Sequence, residues 1–273
     1  MGLFNNLFGK KLPVETPLDK VQDTVSSAKE VIKTDIQKEV NMSNKVKFII
    51  DGKECTAEKG MMLVDAAAEN GVYIPVLCHM KGMIPAGSCR VCTCKINGRN
   101  MAGCTTPVDE GMKIENDTPE LTELRKTIVE VLFVEGNHFC PACEKSGNCE
   151  LQALGYKYQM MVPRFPYSFP PKAVEAGAGK IYLDRNRCIM CKKCIRTVHV
   201  DGKNVFAFRG RGAHLEINID KTLAAKLTDK QAQEAMDVCP VGSILRKEKG
   251  FDEPIGTRKY DKHQIGSEIE KVS

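Results

Sequence analysis

Twelve side chains in this 273-residue chain carry metal-ligating donors at recurring short spacings. They fall into three sets of four: Cys78, Cys89, Cys92 and Cys104; His138, Cys140, Cys143 and Cys149; and Cys188, Cys191, Cys194 and Cys239. Eleven of the thirteen cysteines are used, leaving Cys55 and Cys94 over. Thiolates at such spacings, with an occasional imidazole, hold iron–sulfur clusters. Three clusters on one chain would form a path for electrons, with a donor at one end and an acceptor at the other.

Each set has its own signature. Cys78-x10-Cys89-x2-Cys92-x11-Cys104 offers four thiolates for a [2Fe–2S] centre, with a longer first loop than plant-type ferredoxins have. Pro85-Ala86-Gly87-Ser88 in that loop lets backbone amides approach the sulfurs. Cys94 is an alternative to Cys92, and both cannot ligate beside the other three. A zinc site favours short paired knuckles, and the x10 loop is not one. The second set, Cys140-x2-Cys143-x5-Cys149, has only three thiolates, and His138 stands two residues before the first of them. A neutral imidazole there completes a [4Fe–4S] site and raises its potential; the alternative is an open-iron cluster that binds substrate. In the third set, Cys188-x2-Cys191-x2-Cys194 is completed by Cys239-Pro240. Bacterial ferredoxins build their cubanes in this way, and Val198 stands where a ligand to a further cluster would be.

These donors need elements to position them. Lys45–Ile50, a turn at Asp51-Gly52 and a second short strand predict a β-hairpin. The stretch Met61–Gly71 predicts a helix stopped by glycine, and Arg90–Ile96 a later strand. Thr118-Pro119 caps a helix running to about Val134, which delivers the chain to the second set. The expected class is α+β. It comprises an N-terminal β-grasp [2Fe–2S] ferredoxin domain (45–118), a helical segment for the cluster with one histidine and three cysteine ligands (119–162), a proline-rich linker (163–179) and a bacterial-ferredoxin-like [4Fe–4S] domain (180–250). Residues 251–273 read as a polar tail that could wrap a partner. Residues 1–44 read as an extension in which Leu18, Val21, Val25, Ala28, Ile32, Ile36 and Val40 recur at helical spacing. That extension is an amphipathic helix or tail, suited to docking on a partner or a membrane surface.

Composition excludes several classes. Hydrophobic residues make up 42 %, as in a globular protein, and a net charge of +5 spread along the chain is a poor nucleic-acid signature. The longest apolar run, Ile128–Val134, is too short to cross a bilayer. C-x-x-C groups without a signal peptide point to a reduced, cytoplasmic protein. No G-x-G-x-x-G fingerprint opens a helix. Ala176–Lys180 fails as a phosphate loop, and Arg209-Gly210-Arg211-Gly212 reads as a turn. No nucleophile–base constellation is evident, so no substrate-converting site is expected on this chain.

The phrases PVLCHMKGMIPAGSCRVC, GCTTPV, EGNHFCPACEKSGNCELQ, RCIMCKKCIR and CPVGSIL together resemble the small iron–sulfur diaphorase subunits of NAD-reducing [NiFe] hydrogenases. They are also similar to the N-terminal part of the large iron–sulfur subunit of complex I and to the relay of [FeFe] hydrogenases. The resemblance covers about residues 45–260. It implies an electron-relay subunit between a flavin subunit holding FMN and NAD(H) and a hydrogenase module of small and nickel–iron subunits. The alternative is the same relay in an NAD-dependent formate dehydrogenase, an electron-bifurcating complex or a complex I-like enzyme. One departure stands out: in complex I and [FeFe] hydrogenases the histidine lies four residues before the first cysteine, where this chain has Gly136.

Overall fold

Asp51 and Gly52 both have positive φ, 49° and 83°, the backbone of a two-residue turn whose twist matches the strands it joins. They connect β1 (Lys45–Ile50) to β2 (Lys53–Glu58). The structure, a computed structural model, describes residues 44–270. Apart from Asn44, the extension read as an amphipathic helix lies outside the described residues.

Alternation along β1 puts Val46, Phe48 and Ile50 into a core, and α1 (Leu63–Glu69) covers it with Leu63, Ala66 and Ala67. β3 (Thr93–Ile96) and β4 (Arg99–Ala102) form a second hairpin. Its turn, Asn97-Gly98, repeats the double positive φ at 48° and 81°. β5 (Lys113–Glu115) then lies parallel to β1 and antiparallel to β3, giving a five-stranded sheet of order β2-β1-β5-β3-β4. The strand expected from Arg90 begins only at Thr93, because Arg90 takes a left-handed φ of 61° between two cysteines.

The Thr118 hydroxyl accepts from Leu121 N at 3.3 Å, and Pro119 occupies the first turn of α2 (Pro119–Val134). The buried side chains of α2 recur every three to four residues, ending at Phe133 and Val134, and α3 (Glu150–Lys157) packs against it. The proline-rich linker is strapped to α2. Arg164 Nε donates to both oxygens of Glu130, at 3.1 and 2.8 Å, and Ser168 N and Oγ donate to the Val134 carbonyl at 3.0 and 2.9 Å. The Glu130 side chain is 1 % exposed, and a carboxylate so buried is stable only with such a partner.

The remaining chain gives β6 (Val174–Glu175), β7 (Ile181–Asp184), α4 (Lys193–Thr197), β8 (His199–Val200), β9 (Lys203–Asn204), β10 (Phe206–Arg209), β11 (Glu216–Ile219), α5 (Lys221–Ala225), α6 (Asp229–Val238) and β12 (Ile244–Arg246). β12, β7 and β6 form one antiparallel sheet. Thr228 and Gln231 close a capping box on α6. The Arg209–Gly212 stretch joins β10 to β11, with Gly210 and Gly212 at φ 79° and 55°.

The C-terminal segment packs on its own chain. α7 (Lys259–Lys262) follows Arg258, which donates to the Ser146 carbonyl at 3.0 Å. Tyr260 N reaches the Gly147 carbonyl at 2.9 Å. Ile265 is 5 % exposed, and Gly266 lies against the Tyr73 ring. The polar reading of this tail overlooked its few apolar anchors. A second, larger core runs from Leu77 and Val91 through Phe133 and Leu154 to Ile181, Phe206 and Ile217. It contains Cys149, Cys194 and Cys239, so donors of the second and third sets are fixed in one packed body. Among the described residues, no helix is long and apolar enough to cross a membrane.

Three candidate metal centres

The first set converges at the edge of the five-stranded sheet. The Cys78 thiol is driven below its ordinary pKa by hydrogen bonding with Cys104 and then Cys89. Cys92 is lowered to about 7, chiefly by Cys104. Cys89 and Cys104 move the opposite way, raised chiefly by Cys78, so each of the four lies beside another of the set. Gly103 N donates to the Cys92 carbonyl at 3.0 Å, which holds the turn bearing Cys104 against the Cys89–Cys92 loop. Gly87 has φ 60°, and an added Cβ would meet Thr105 at 3.0 Å, so this loop closes only with glycine there.

Cys94 lies on the other side of β3. Its sulfur accepts from Arg125 Nη2 at 3.5 Å and lies 3.7 Å from Asn116 Oδ1. Burial pushes its thiol up to about 12. The structure thus brings Cys92 and not Cys94 to the other three. Cys55 is buried in the first core, where its thiol donates to the Lys53 carbonyl at 3.6 Å.

The second set lines one small space: His138, Cys140, Cys143 and Cys149 border it, with Phe133, Gln152, Arg187 and Gly242 among its other walls. Cys149 caps α3, its sulfur accepting from Gln152 N at 3.4 Å. A helix N-terminus favours an anionic group at that position. The His138 ring stands edge-on to Phe133 at 5.3 Å. Burial, then the positive Arg187 and Lys172, lower its pKa to about 4, so at neutral pH the ring is uncharged and has a lone pair to give. Asn137 anchors the approach, its N donating to the Asn186 carbonyl at 2.8 Å and its Nδ2 to the Pro170 carbonyl at 2.9 Å. A Cβ on Gly136 would stand 2.6 Å from the Asn186 carbonyl oxygen and 2.9 Å from the His138 ring. The Gly136 position is therefore closed to a side chain, and His138 fills the adjoining space.

The third set lines a small space with Cys188, Cys191, Cys194 and Cys239 and a mostly apolar wall of Leu183, Ile189, Ile217, Val241 and Ile244. Met190 and Lys192 take left-handed φ of 54° and 65°, which folds the short loop around that space. Burial raises Cys188 to about 11 and Cys191 to about 12. Buried thiols of this kind are held as thiolates only by a metal.

The third set touches both others. Arg187, just before Cys188, lines the second space and pairs with Glu144 and Asp184, each at 3.2 Å. Glu150 N donates to the Pro240 carbonyl at 2.8 Å, and Lys193 Nζ meets Glu150 Oε2 at 3.1 Å. Arg196 reaches the other way, donating to the Cys78 and Ile84 carbonyls. The sequence sets Arg187 and Arg196 beside cysteines whose clusters would be anionic, but which distant groups they join carries no spacing signal. At Gly242 a Cβ would run into Cys143 Sγ. Gly242→Ala, a change in the third set's own loop, is therefore expected to disturb the second centre. Overpacking of this kind costs about 1–3 kcal/mol, and iron content together with electron paramagnetic resonance (EPR) should report loss at the second centre before the third.

Donor sets built into ferredoxin-like folds define an iron–sulfur protein of the electron-transfer class. Residues 43–119 match the 2Fe-2S iron-sulfur cluster binding domain, residues 125–164 the NADH-ubiquinone oxidoreductase-G iron-sulfur binding region, and residues 178–245 the NADH-quinone oxidoreductase subunit 3 ferredoxin-like domain. The chain belongs to the family of the gamma subunit of NAD-reducing hydrogenase HoxS: it is 50 % identical to that subunit of Cupriavidus necator over 218 residues, 79 % of this chain and 93 % of the relative. A crystal structure of an NAD+-reducing [NiFe]-hydrogenase in the H2-reduced state contains a chain that superposes with a TM-score of 0.74 at 37 % identity, covering 79 % of this chain and 93 % of that one. The NADPH-Fe(3+) oxidoreductase alpha subunit of Geobacter sulfurreducens is 33 % identical over 74 % of this chain, and the mitochondrial NADH-ubiquinone oxidoreductase 78 kDa protein of Neurospora crassa 32 % over 76 %. Those matches span only 24 % and 28 % of the respective relatives.

Proposed function

We propose that this chain is the electron-relay subunit of an NAD-linked [NiFe] hydrogenase. It would stand between a flavin subunit, holding FMN and handling NAD(H), and the hydrogenase small and large subunits, in the cytoplasm. Cys78, Cys89, Cys92 and Cys104 would hold one [2Fe–2S] cluster. His138, Cys140, Cys143 and Cys149 would hold one [4Fe–4S] cluster, and Cys188, Cys191, Cys194 and Cys239 another. The division into 45–118, 119–162, 163–179 and 180–250 follows these sets, and a sheet with α1 packed across it supports a β-grasp first domain. When bound, each cluster takes up and releases one electron.

The observation that carries this reading is the arrangement of the sets: all three lie in one packed chain, and the third contacts both others. Electrons would then cross in the order first, third, second, and not in sequence order. The protein's part is to hold the sulfurs in rigid cores, exclude water with apolar walls and set potentials by ligand type and nearby charge.

Anaerobic purification of the native complex tests it. About ten irons per chain, a co-purifying flavoprotein and a nickel–iron subunit are the expected result. A colourless zinc protein would end the relay reading, and a molybdenum or tungsten partner would keep the relay while removing hydrogen from it.

A further inference from the structure

Each nitrogen of the Arg196 guanidinium donates to a backbone carbonyl. Nε donates to Lys192 at 3.2 Å, Nη1 to Ile84 at 2.8 Å and Nη2 to Cys78 at 2.6 Å. Among the described residues, none of the three nitrogens goes to a carboxylate. Of the other cations around the second and third sets, Arg187 pairs with Glu144 and Asp184 and Lys193 with Glu150, whereas Lys145 Nζ, like Arg196, donates to a backbone carbonyl, that of Met236 at 2.8 Å. A half-buried cation given no acid needs a counter-charge, and the anionic thiolate centres on either side of it would provide one.

The acceptors identify what is being joined. Lys192 lies between Cys191 and Cys194 of the third set, and Arg196 stands on α4 two residues after Cys194. Cys78 is a donor of the first set. Ile84 sits midway along the x10 loop between Cys78 and Cys89, with its side chain 87 % exposed. Such a loop has little apolar anchorage at that point, so its carbonyl bond to Arg196 fastens it to α4.

We propose that Arg196 is a positioning residue for electron transfer between the first and third centres: it clamps the first ligand loop to the third set's helix and places one positive charge between them. The inference rests on the ligand assignments proposed above. A lysine could restore the charge, but one ammonium cannot span three carbonyls set in a planar fork.

The test compares Arg196→Gln and Arg196→Lys with the unaltered protein in the intact anaerobic complex. Iron content and EPR of the unaltered complex come first; absence of the three centres there refutes the ligand reading and leaves nothing for Arg196 to position. With the centres present, Arg196→Gln is expected to lower the midpoint potential of the [2Fe–2S] centre. The expected shift is about tenfold in its electron equilibrium, about 59 mV for one electron. It should also weaken the magnetic coupling between the reduced first and third centres and slow the appearance of the reduced third centre after NADH is mixed in. Arg196→Lys should recover the potential without recovering the coupling or the rate. If Arg196→Gln does not assemble, Arg196→Lys carries the test alone through its coupling and rate. Unchanged potential, coupling and rate in Arg196→Gln would overturn the proposal, and so would full recovery of all three by lysine, which would reduce the role to charge.

Discussion

Cys188→Ser is expected to abolish hydrogen-dependent NAD reduction by the assembled complex while leaving NADH oxidation by an artificial acceptor at the flavin partner intact. Cys188 stands in an apolar space with three other thiols, and the third set is the one that touches both neighbours through Arg187 and Arg196. Serine supplies a poorer donor, and the wall's other hydroxyl, Ser243, is no better a ligand. Loss of outer contacts alone typically lowers metal affinity 10–100-fold, so loss of a direct ligand should lower cluster affinity by about 100-fold or more. Removing any centre of a serial path stops traffic between its ends, while the flavin partner keeps its own reaction with NADH. The spectrum should show the same pattern: one [4Fe–4S] signal gone and the [2Fe–2S] signal retained. Cys55→Ser is the control, because that thiol is buried in the first core and belongs to no set; it should keep its iron and both activities. Loss of both activities in Cys188→Ser would argue against a relay position.

Cysteine spacing made the donor sets legible in the sequence, because a multi-iron cluster constrains its ligands through short loops that survive as local patterns. α2 was legible for the same local reason: Thr118 and Pro119 announce its start, and its apolar residues recur at helical spacing. The Asn97-Gly98 hairpin carried an equally local signal, the strongest short turn signature available, but the cysteines on either side dominate that stretch. What could not be read was the spatial order of the sets. That order depends on contacts across more than a hundred residues, such as Arg196 to Cys78 and Arg258 to Ser146, and no periodicity encodes them. Nor could the sequence reveal that the C-terminal segment closes over the Ser146–Asn148 loop: its anchors are single residues, Tyr260, Ile265 and Ile269, in an otherwise polar stretch.

His138 bears the second large prediction. Its neighbours make it a neutral donor in a space shared with three cysteines, and the Gly136 backbone is packed so closely that no side chain fits there. His138→Ala should therefore remove the second [4Fe–4S] signal or convert it to a three-iron form, with hydrogen-dependent NAD reduction lost as well. Gly136→Ala should do much the same while keeping the imidazole, since the added methyl meets both the ring and the Asn186 carbonyl. His138→Cys separates ligation from mere packing. A thiolate there would make the centre more negative by one charge, and in Rieske centres histidine in place of cysteine raises the potential. The reverse exchange should lower it, by about 59 mV for each tenfold change in the electron's equilibrium. The second centre would then accept electrons from the third less readily, and flow toward the hydrogenase side would slow more than flow away from it. Redox titration followed by EPR reads this directly. A His138→Ala complex with the four-iron signal intact at its original potential would mean that the fourth donor is some other group and that His138 only packs against Phe133.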